Sequence, residues 1–307
     1  MSKAVRYDNY GGVDVLQVVD VEIPEPGEGQ ARVSVRAAGI NPGEAKIREG
    51  LLHDLFPATF PTGQGTDFAG VVDAVGPGVE DVAVGDEVIG WSDERSSHAE
   101  QVTVPAGQLV ARPAAVPWEV AGALPVAGFT AWAAVRAVAL TPADTVVVSG
   151  AAGGVGSLAV QLAKNTGATV IGLASEPNRA WLTEHGVVPV TYGEGVADRV
   201  RAAARGTVDA LIDTYGEGYV DLAIELGVAP QRIDTIMDWP AAQRHAGVKT
   251  DANAVGASAP VLAELAADVA AGRLEVPIAN TYPLAEVREA YGELASGHTR
   301  GKIVLLP

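Results

Sequence analysis

Residues 145–167 constrain the fold more tightly than any other stretch. Val146, Val147 and Val148 are β-branched and apolar, bounded by Asp144 and Gly150, the pattern of a short buried strand. Gly150, Gly153, Gly154 and Gly156 follow, so the chain must turn sharply. From Ser157 the pattern becomes helical: Leu158, Ala159, Leu162 and Ala163 share one face, and Gly167 sits where a helix stops. Glycines let backbone approach a pyrophosphate, and a helix N-terminus offers free N–H groups and a positive dipole end. The spacing is Gly-x-x-Gly-x-x-Gly rather than Gly-x-Gly-x-x-Gly, and tight strand–helix packing also selects glycine. With both flanking elements present, the segment reads as a dinucleotide-binding turn at Gly150, Gly153, Gly154 and Val155.

The rest of the chain is long enough, at 307 residues, for two domains with sizeable cores. It has no cysteine, which excludes disulfides, a thiolate metal site and a thiol nucleophile. A net charge of −17 argues against nucleic acid or an anionic membrane as partner, so an anionic cofactor must be drawn in by local basic groups. Residues 145–163 carry no charge, yet their glycines with Ser149, Ser157 and Gln161 exclude a membrane span. The first residues lack the apolar core of a signal peptide, and the expected location is cytoplasmic.

Residues 3–36 alternate as strands, with 31–35 the clearest. A short helix is expected through Lys46 and Arg48, then strands at 68–75 and 82–89, the latter with Gly85-Asp86 in its middle. From 117 to 140 the pattern is Ala-rich helix interrupted by Pro125 and Gly128. Strand and helix then alternate: strand 168–173, helix 177–185, strand 187–191, helix 195–204, strand 208–212. This predicts a parallel sheet with right-handed crossovers. Segments 232–236 and 254–257 are expected as later strands, followed by helix 258–271, strand 276–281, helix 284–296 and strand 302–306.

Several motifs resemble the medium-chain dehydrogenase/reductases, specifically their zinc-free quinone oxidoreductase (zeta-crystallin-like) family. They are Ala37-Ala38-Gly39-Ile40-Asn41-Pro42, Gly65-Thr66-Asp67-Phe68-Ala69-Gly70, Val75-Gly76-Pro77-Gly78-Val79, Val84-Gly85-Asp86-Glu87-Val88, Gly128-Phe129-Thr130-Ala131-Trp132, the glycine turn, and Gly301-Lys302-Ile303-Val304-Leu305. They span nearly the whole chain. The resemblance implies an α/β fold: a doubly wound Rossmann parallel sheet inserted in a GroES-like β-rich domain, with the active cleft at the seam. The expected division is 1–115 GroES-like, 116–257 Rossmann and NADP-binding, and 258–307 returning to the first domain. It also implies a homodimer through the edge of the Rossmann sheet, where 253–257 is a short, largely uncharged stretch suited to edge pairing.

Zinc-dependent relatives place Cys where this chain has Asn41 and a His-Glu pair where it has Thr66-Asp67. The ligand set cannot assemble there, and His53, His98, His185, His245 and His298 are too scattered to suggest another site. No metal is expected. Without a metal to polarise a carbonyl, the expected acceptor is already activated: a quinone or an α,β-unsaturated carbonyl.

NAD-specific turns place an acid after the second strand to bind the ribose 2′-OH. Here Ala174 takes that place, with Ser175 and Arg179 able to hold a 2′-phosphate, and Tyr192 matching a family tyrosine near it. NADPH is therefore the expected cofactor, with Glu176 speaking against it unless it points to solvent. Thr130 matches a threonine near the nicotinamide, or is a hydroxyl bonding its own helix. Met237, with Trp239, covers the nicotinamide or packs apolar surface, and Lys302 completes the cofactor candidates through its terminal motif. Catalytic candidates are Asn41, lining the cleft or stabilising its turn; Lys46, a proton donor or a solvated helix lysine; and Asp67, which lies in the loop where zinc relatives have an acid and braces that loop by accepting N–H bonds. The expected function is an NADPH-dependent reductase of quinones or enones. An enoyl-thioester or alkenal reductase, or a non-enzymatic NADPH-binding protein, is the alternative.

Overall fold

The glycine turn governs the second of two units into which the chain divides. In the computed structural model, which describes residues 1–204 and 206–307, Met1–Val126 and Ser258–Pro307 form one unit and Ala127–Ala257 the other. In the second unit Thr145–Val148 is the strand of the valine run, and Gly156–Asn165 is the helix that follows it. Among the described residues this unit holds a parallel five-stranded sheet in the order Val188–Thr191, Thr169–Ala174, Thr145–Val148, Ala210–Asp213, Ile233–Thr235. The strand order reverses at Thr145–Val148, so its carboxyl end opens the crevice where open α/β sheets bind ligands. Val147, Ile171, Leu173, Leu211 and Ile233 are fully buried against helix residues such as Val200 and Val220.

The first unit is β-rich. Gln30–Gly39 pairs antiparallel with Asp67–Val75, Gln101–Pro105 and the C-terminal strand Lys302–Leu306, which lies parallel to Ile278–Pro283. Alternation along the first of these strands, with Ala31, Val33 and Val35 buried, builds one core with Phe68, Val72 and Val88. A second core gathers Val5, Tyr7, Ile40, Tyr291, Ile303 and Leu305, joining both ends of the sequence.

Three sequence expectations are corrected. Residues 82–86 are not strand: Gly85 turns with φ +99°, the Asp86 carboxylate accepts the Ala83 N–H, and the strand is Glu87–Trp91. The helical stretch before the glycine turn breaks at Pro125, between Trp118–Ala123 and Pro125–Ala137, and runs on through Gly128. Segment 254–257 is no strand but part of the helical turn Asn253–Gly256, backed so closely on Phe129 that a Cβ on Gly256 would overlap the Phe129 carbonyl. The sheet edge there is Ile233–Thr235, and Lys249 covers it with two backbone bonds, Thr235 N–H to Lys249 O at 3.0 Å and Lys249 N–H to Ile233 O at 2.9 Å. The edge strand expected to pair two copies is therefore absent.

The helix Gly156–Asn165 sits so close to the turn that a Cβ on Gly156 would overlap the carbonyl oxygen of Gly150. Gly156→Ala should then cost about 1–3 kcal/mol through forced backbone movement. A denaturant titration with an unchanged midpoint would contradict this packing.

Candidate functional site

In the second unit the site is built by the turn Ser149–Val155. Gly150 has φ +56°, and a Cβ there would lie 2.9 Å from Thr214 Oγ1. Gly153, Gly154 and Val155 are partly exposed while the flanking residues are buried. At Gly153 and Gly154 the backbone thus reaches the surface without side chains, just before a ten-residue helix. The Ser157 N–H bonds back to Gly153 O at 2.9 Å and the Leu158 N–H to Val155 O at 3.1 Å, which leaves the N–H groups of Gly154 and Val155 facing outward among the described residues. This arrangement fits the pyrophosphate of a dinucleotide.

The crevice rests on a residue not singled out from the sequence. Asp213 is fully buried at the end of Ala210–Asp213. Its Oδ1 accepts from Ser149 Oγ at 2.6 Å, Gly216 N–H at 2.8 Å and Tyr215 N–H at 3.1 Å, and its Oδ2 from Thr235 Oγ1 at 2.7 Å. Thr235 Oγ1 in turn accepts the N–H groups of Met237 at 3.2 Å and Asp238 at 2.9 Å. One carboxylate therefore ties the carboxyl ends of three parallel strands and sets the loops carrying Tyr215 and Met237. An acid closing an apolar strand just before a glycine-containing turn is the signal that could have found it.

The ribose end lies where Thr169–Ala174 runs out beside Val188–Thr191. Ser175 Oγ accepts from Asn178 Nδ2 at 3.0 Å, and Tyr192 is half exposed. Arg179 donates its Nε to Glu176 Oε1 at 2.9 Å, and this pairing holds the Glu176 carboxyl below its ordinary range. Glu176 thus stands at the surface, turned along it toward Arg179. Thr130 is buried in the helix Pro125–Ala137, and Met237 is half-buried.

In the first unit the structure brings Asn41 and Asp67, two of the catalytic candidates, together with Lys302 from the cofactor candidates. Lys302 is 4 % exposed, and its Nζ donates to Ile40 O at 3.0 Å, to Asp67 Oδ2 at 3.3 Å and to Asn41 Oδ1, which matches its three N–H donors with three acceptors. The Asn41 amide nitrogen donates to Asp67 Oδ2 at 3.0 Å and Glu44 Oε1 at 3.1 Å. Asn41 is the cap of the helix Pro42–Arg48, and Glu44 returns to its backbone N–H at 3.0 Å. Glu44 also accepts from Thr66 N–H at 2.9 Å and Tyr291 O–H at 2.6 Å. Lys46, on the same helix, is half-buried and makes no hydrogen bond to this cluster among the described residues.

Glu44, Tyr291, Gln64 and His98 were not identified from the sequence. The Asn-x-x-Glu spacing of a capping box was the legible signal for Glu44. Gln64 Nε2 donates to the Tyr291 hydroxyl at 2.8 Å, a pairing between residues too far apart in sequence to be read. Burial, with the adjacent Glu44 charge, pushes the Tyr291 hydroxyl well above its ordinary range. Burial likewise pushes the His98 imidazole down; its Nε2–H donates to Gly39 O at 3.2 Å.

Burial raises the Asp67 carboxyl to about 6, opposed by the Lys302 charge and aided by that of Glu44. The folded chain therefore holds the Asp67 proton more tightly than the unfolded chain. Its contribution to stability is largest below pH 4 and is lost as pH rises through about 6, on the order of 3 kcal/mol in all. Asp67→Asn should flatten this part of the stability–pH curve in denaturant titrations from pH 4 to 7. An unaltered slope would refute the assignment.

Two family models match the chain: the alcohol dehydrogenase GroES-like domain over residues 27–147 and zinc-binding dehydrogenase over residues 187–305. A quinone oxidoreductase of Pseudomonas aeruginosa is 30% identical, with 100% of both chains covered. The NADPH-dependent alkenal/one oxidoreductase of Arabidopsis thaliana chloroplasts is 30% identical over 99% of this chain and 79% of that protein. The Escherichia coli quinone oxidoreductase solved in complex with NADPH superposes with a TM-score of 0.87 at 25% identity, covering 99% of this chain and 100% of that one. The GroES-like β unit, the parallel sheet with its glycine turn and these full-length likenesses agree: the chain is an oxidoreductase and belongs to the quinone oxidoreductase family of the medium-chain dehydrogenase/reductases.

Proposed function

We propose that this oxidoreductase uses NADPH, without a metal, to reduce quinones or α,β-unsaturated carbonyls. The observation that carries the cofactor half is the end of the strand Thr169–Ala174, where Ala174 stands in place of an acid and Ser175 and Arg179 follow. When bound, the nicotinamide supplies a hydride. The N–H groups of Gly154 and Val155 would hold the pyrophosphate, with Gly150 and Gly153 letting the backbone come close; the Gly153 N–H is taken by the Gly150 carbonyl at 2.8 Å. Ser175, Arg179 and Tyr192 would hold the 2′-phosphate, and Thr130 and Met237 would border the nicotinamide. The names of two similar proteins, one an NADPH-dependent alkenal/one oxidoreductase and one solved with NADPH, support this reading.

Metal independence is supported by the charge already present at Asn41 and Asp67. The Lys302 ammonium, held 3.3 Å from Asp67 Oδ2, would repel a divalent cation there. Asn41 then braces the turn that opens the helix Pro42–Arg48, and Asp67, the first residue of its strand, ties that turn to Lys302 and accepts the Val126 N–H at 2.8 Å. Acceptors that delocalise the incoming charge need no Lewis acid, and this favours quinones and enones over simple ketones.

NADPH consumption should be seen with quinones or enones and should survive a chelator. Loss of all turnover on chelation would sink the metal-free reading. Arg179→Ala should weaken NADPH by roughly tenfold, in KM more than in kcat, and leave NADH nearly unchanged. Equal effects on both cofactors would show the reading of this turn to be wrong. We also propose a homodimer, by the family resemblance alone; light scattering at micromolar concentration should give twice the chain mass, and a single chain mass would refute it.

A further inference from the structure

We infer that Glu176 sets the strength of cofactor discrimination by occupying the 2′-phosphate's place on Arg179; this rests on the NADPH reading above. Glu176 opens the turn Glu176–Asn178 directly after the strand Thr169–Ala174. One of its oxygens accepts from Arg179 Nε at 2.9 Å, the other from Thr191 Oγ1 at 3.2 Å. Thr191 lies opposite Ala174 in the neighbouring parallel strand. The carboxylate therefore spans the carboxyl ends of two adjacent strands, held by a guanidinium and a hydroxyl. That donor set suits any anionic oxygen, whether from a side chain or from a phosphate.

The surroundings confine the adjustable part to this pair. Arg199, a further cation beside this turn, donates to the carbonyls of Thr191, Tyr192, Gly193 and Glu194, and so fixes the turn after Thr191. The Glu176 and Arg179 side chains are 66% and 53% exposed, so both can rotate. A phosphate approaching Arg179 meets a like charge and must displace it. A ribose 2′-OH needs an acceptor instead, and the same carboxylate can provide one. Glu176 thus weakens NADPH and tolerates or aids NADH, whereas Arg179 strengthens NADPH and leaves NADH nearly unchanged. The preference is the difference between the two.

The test is equilibrium titration of NADPH, NADH and adenosine 2′,5′-bisphosphate against wild type, Glu176→Gln, Arg179→Ala and the double variant. Adenosine 2′,5′-bisphosphate carries the 2′-phosphate without the nicotinamide, so the readout is independent of turnover. Glu176→Gln should tighten NADPH and the bisphosphate by about threefold to fivefold, the scale of an exposed ion pair, with NADH unchanged or weaker. The gain should vanish once Arg179 is removed. NADPH binding that is unchanged or weaker in Glu176→Gln, or a gain that persists without Arg179, overturns the inference while leaving the cofactor reading intact. Wild type that binds NADH but neither of the ligands bearing a 2′-phosphate overturns both.

Discussion

A carboxylate taken out of water must be satisfied by donors or it unfolds the structure around it. Both units are arranged to meet this demand. Asp213 gathers two hydroxyls and two backbone N–H groups, and in doing so fixes the crevice of the parallel sheet. Glu44 and Asp67 are satisfied by Asn41, Thr66, Tyr291 and Lys302, which between them come from a helix cap, a loop, a C-terminal helix and the last strand. Apolar burial gives each unit its core, and these polar hubs decide where its loops go.

Much of this was legible in residue order. The valine run, the glycines and the helical period after Ser157 describe one strand–turn–helix without ambiguity, because each residue's local preference agrees with its place. Where local preference was silent, the reading failed. Val84-Gly85-Asp86-Glu87-Val88 looks like an interrupted strand, but Gly85 with its positive φ makes it a turn leading into one. Segment 254–257 is uncharged and short, which fits an edge strand or a helical turn equally well; only the approach to Phe129 decides. The site was half readable. Gly150, Gly153, Ser175 and Arg179 are close in sequence and form one end of the sheet. Tyr291 bonds to Glu44 and Lys302 to Asn41 across separations of 247 and 261 residues, which no local pattern encodes.

Charge shapes the two polar regions differently. The chain as a whole carries −17, so its field opposes an anionic ligand at long range. Attraction must be supplied within a few ångströms, by N–H groups at a helix start and by Arg179 at a strand end, where screening matters least. Around Lys302 the same ledger is closed internally, with one cation held among three oxygens, two from the adjacent residues Ile40 and Asn41 and one from Asp67.

The position of Lys302 also sets an order on folding. The second unit is a continuous stretch, Ala127–Ala257, rich in neighbouring strand–helix–strand contacts, and can close as soon as it leaves the ribosome. The first unit cannot. Asp67 and Asn41 are made early, yet the ammonium that satisfies them arrives 235 and 261 residues later. Without it the buried Asp67 would have no ammonium beside it, and the sheet would lack the strand Lys302–Leu306. The inserted unit thus has all its strands in one continuous stretch, whereas the β unit is complete only with the chain's last strand.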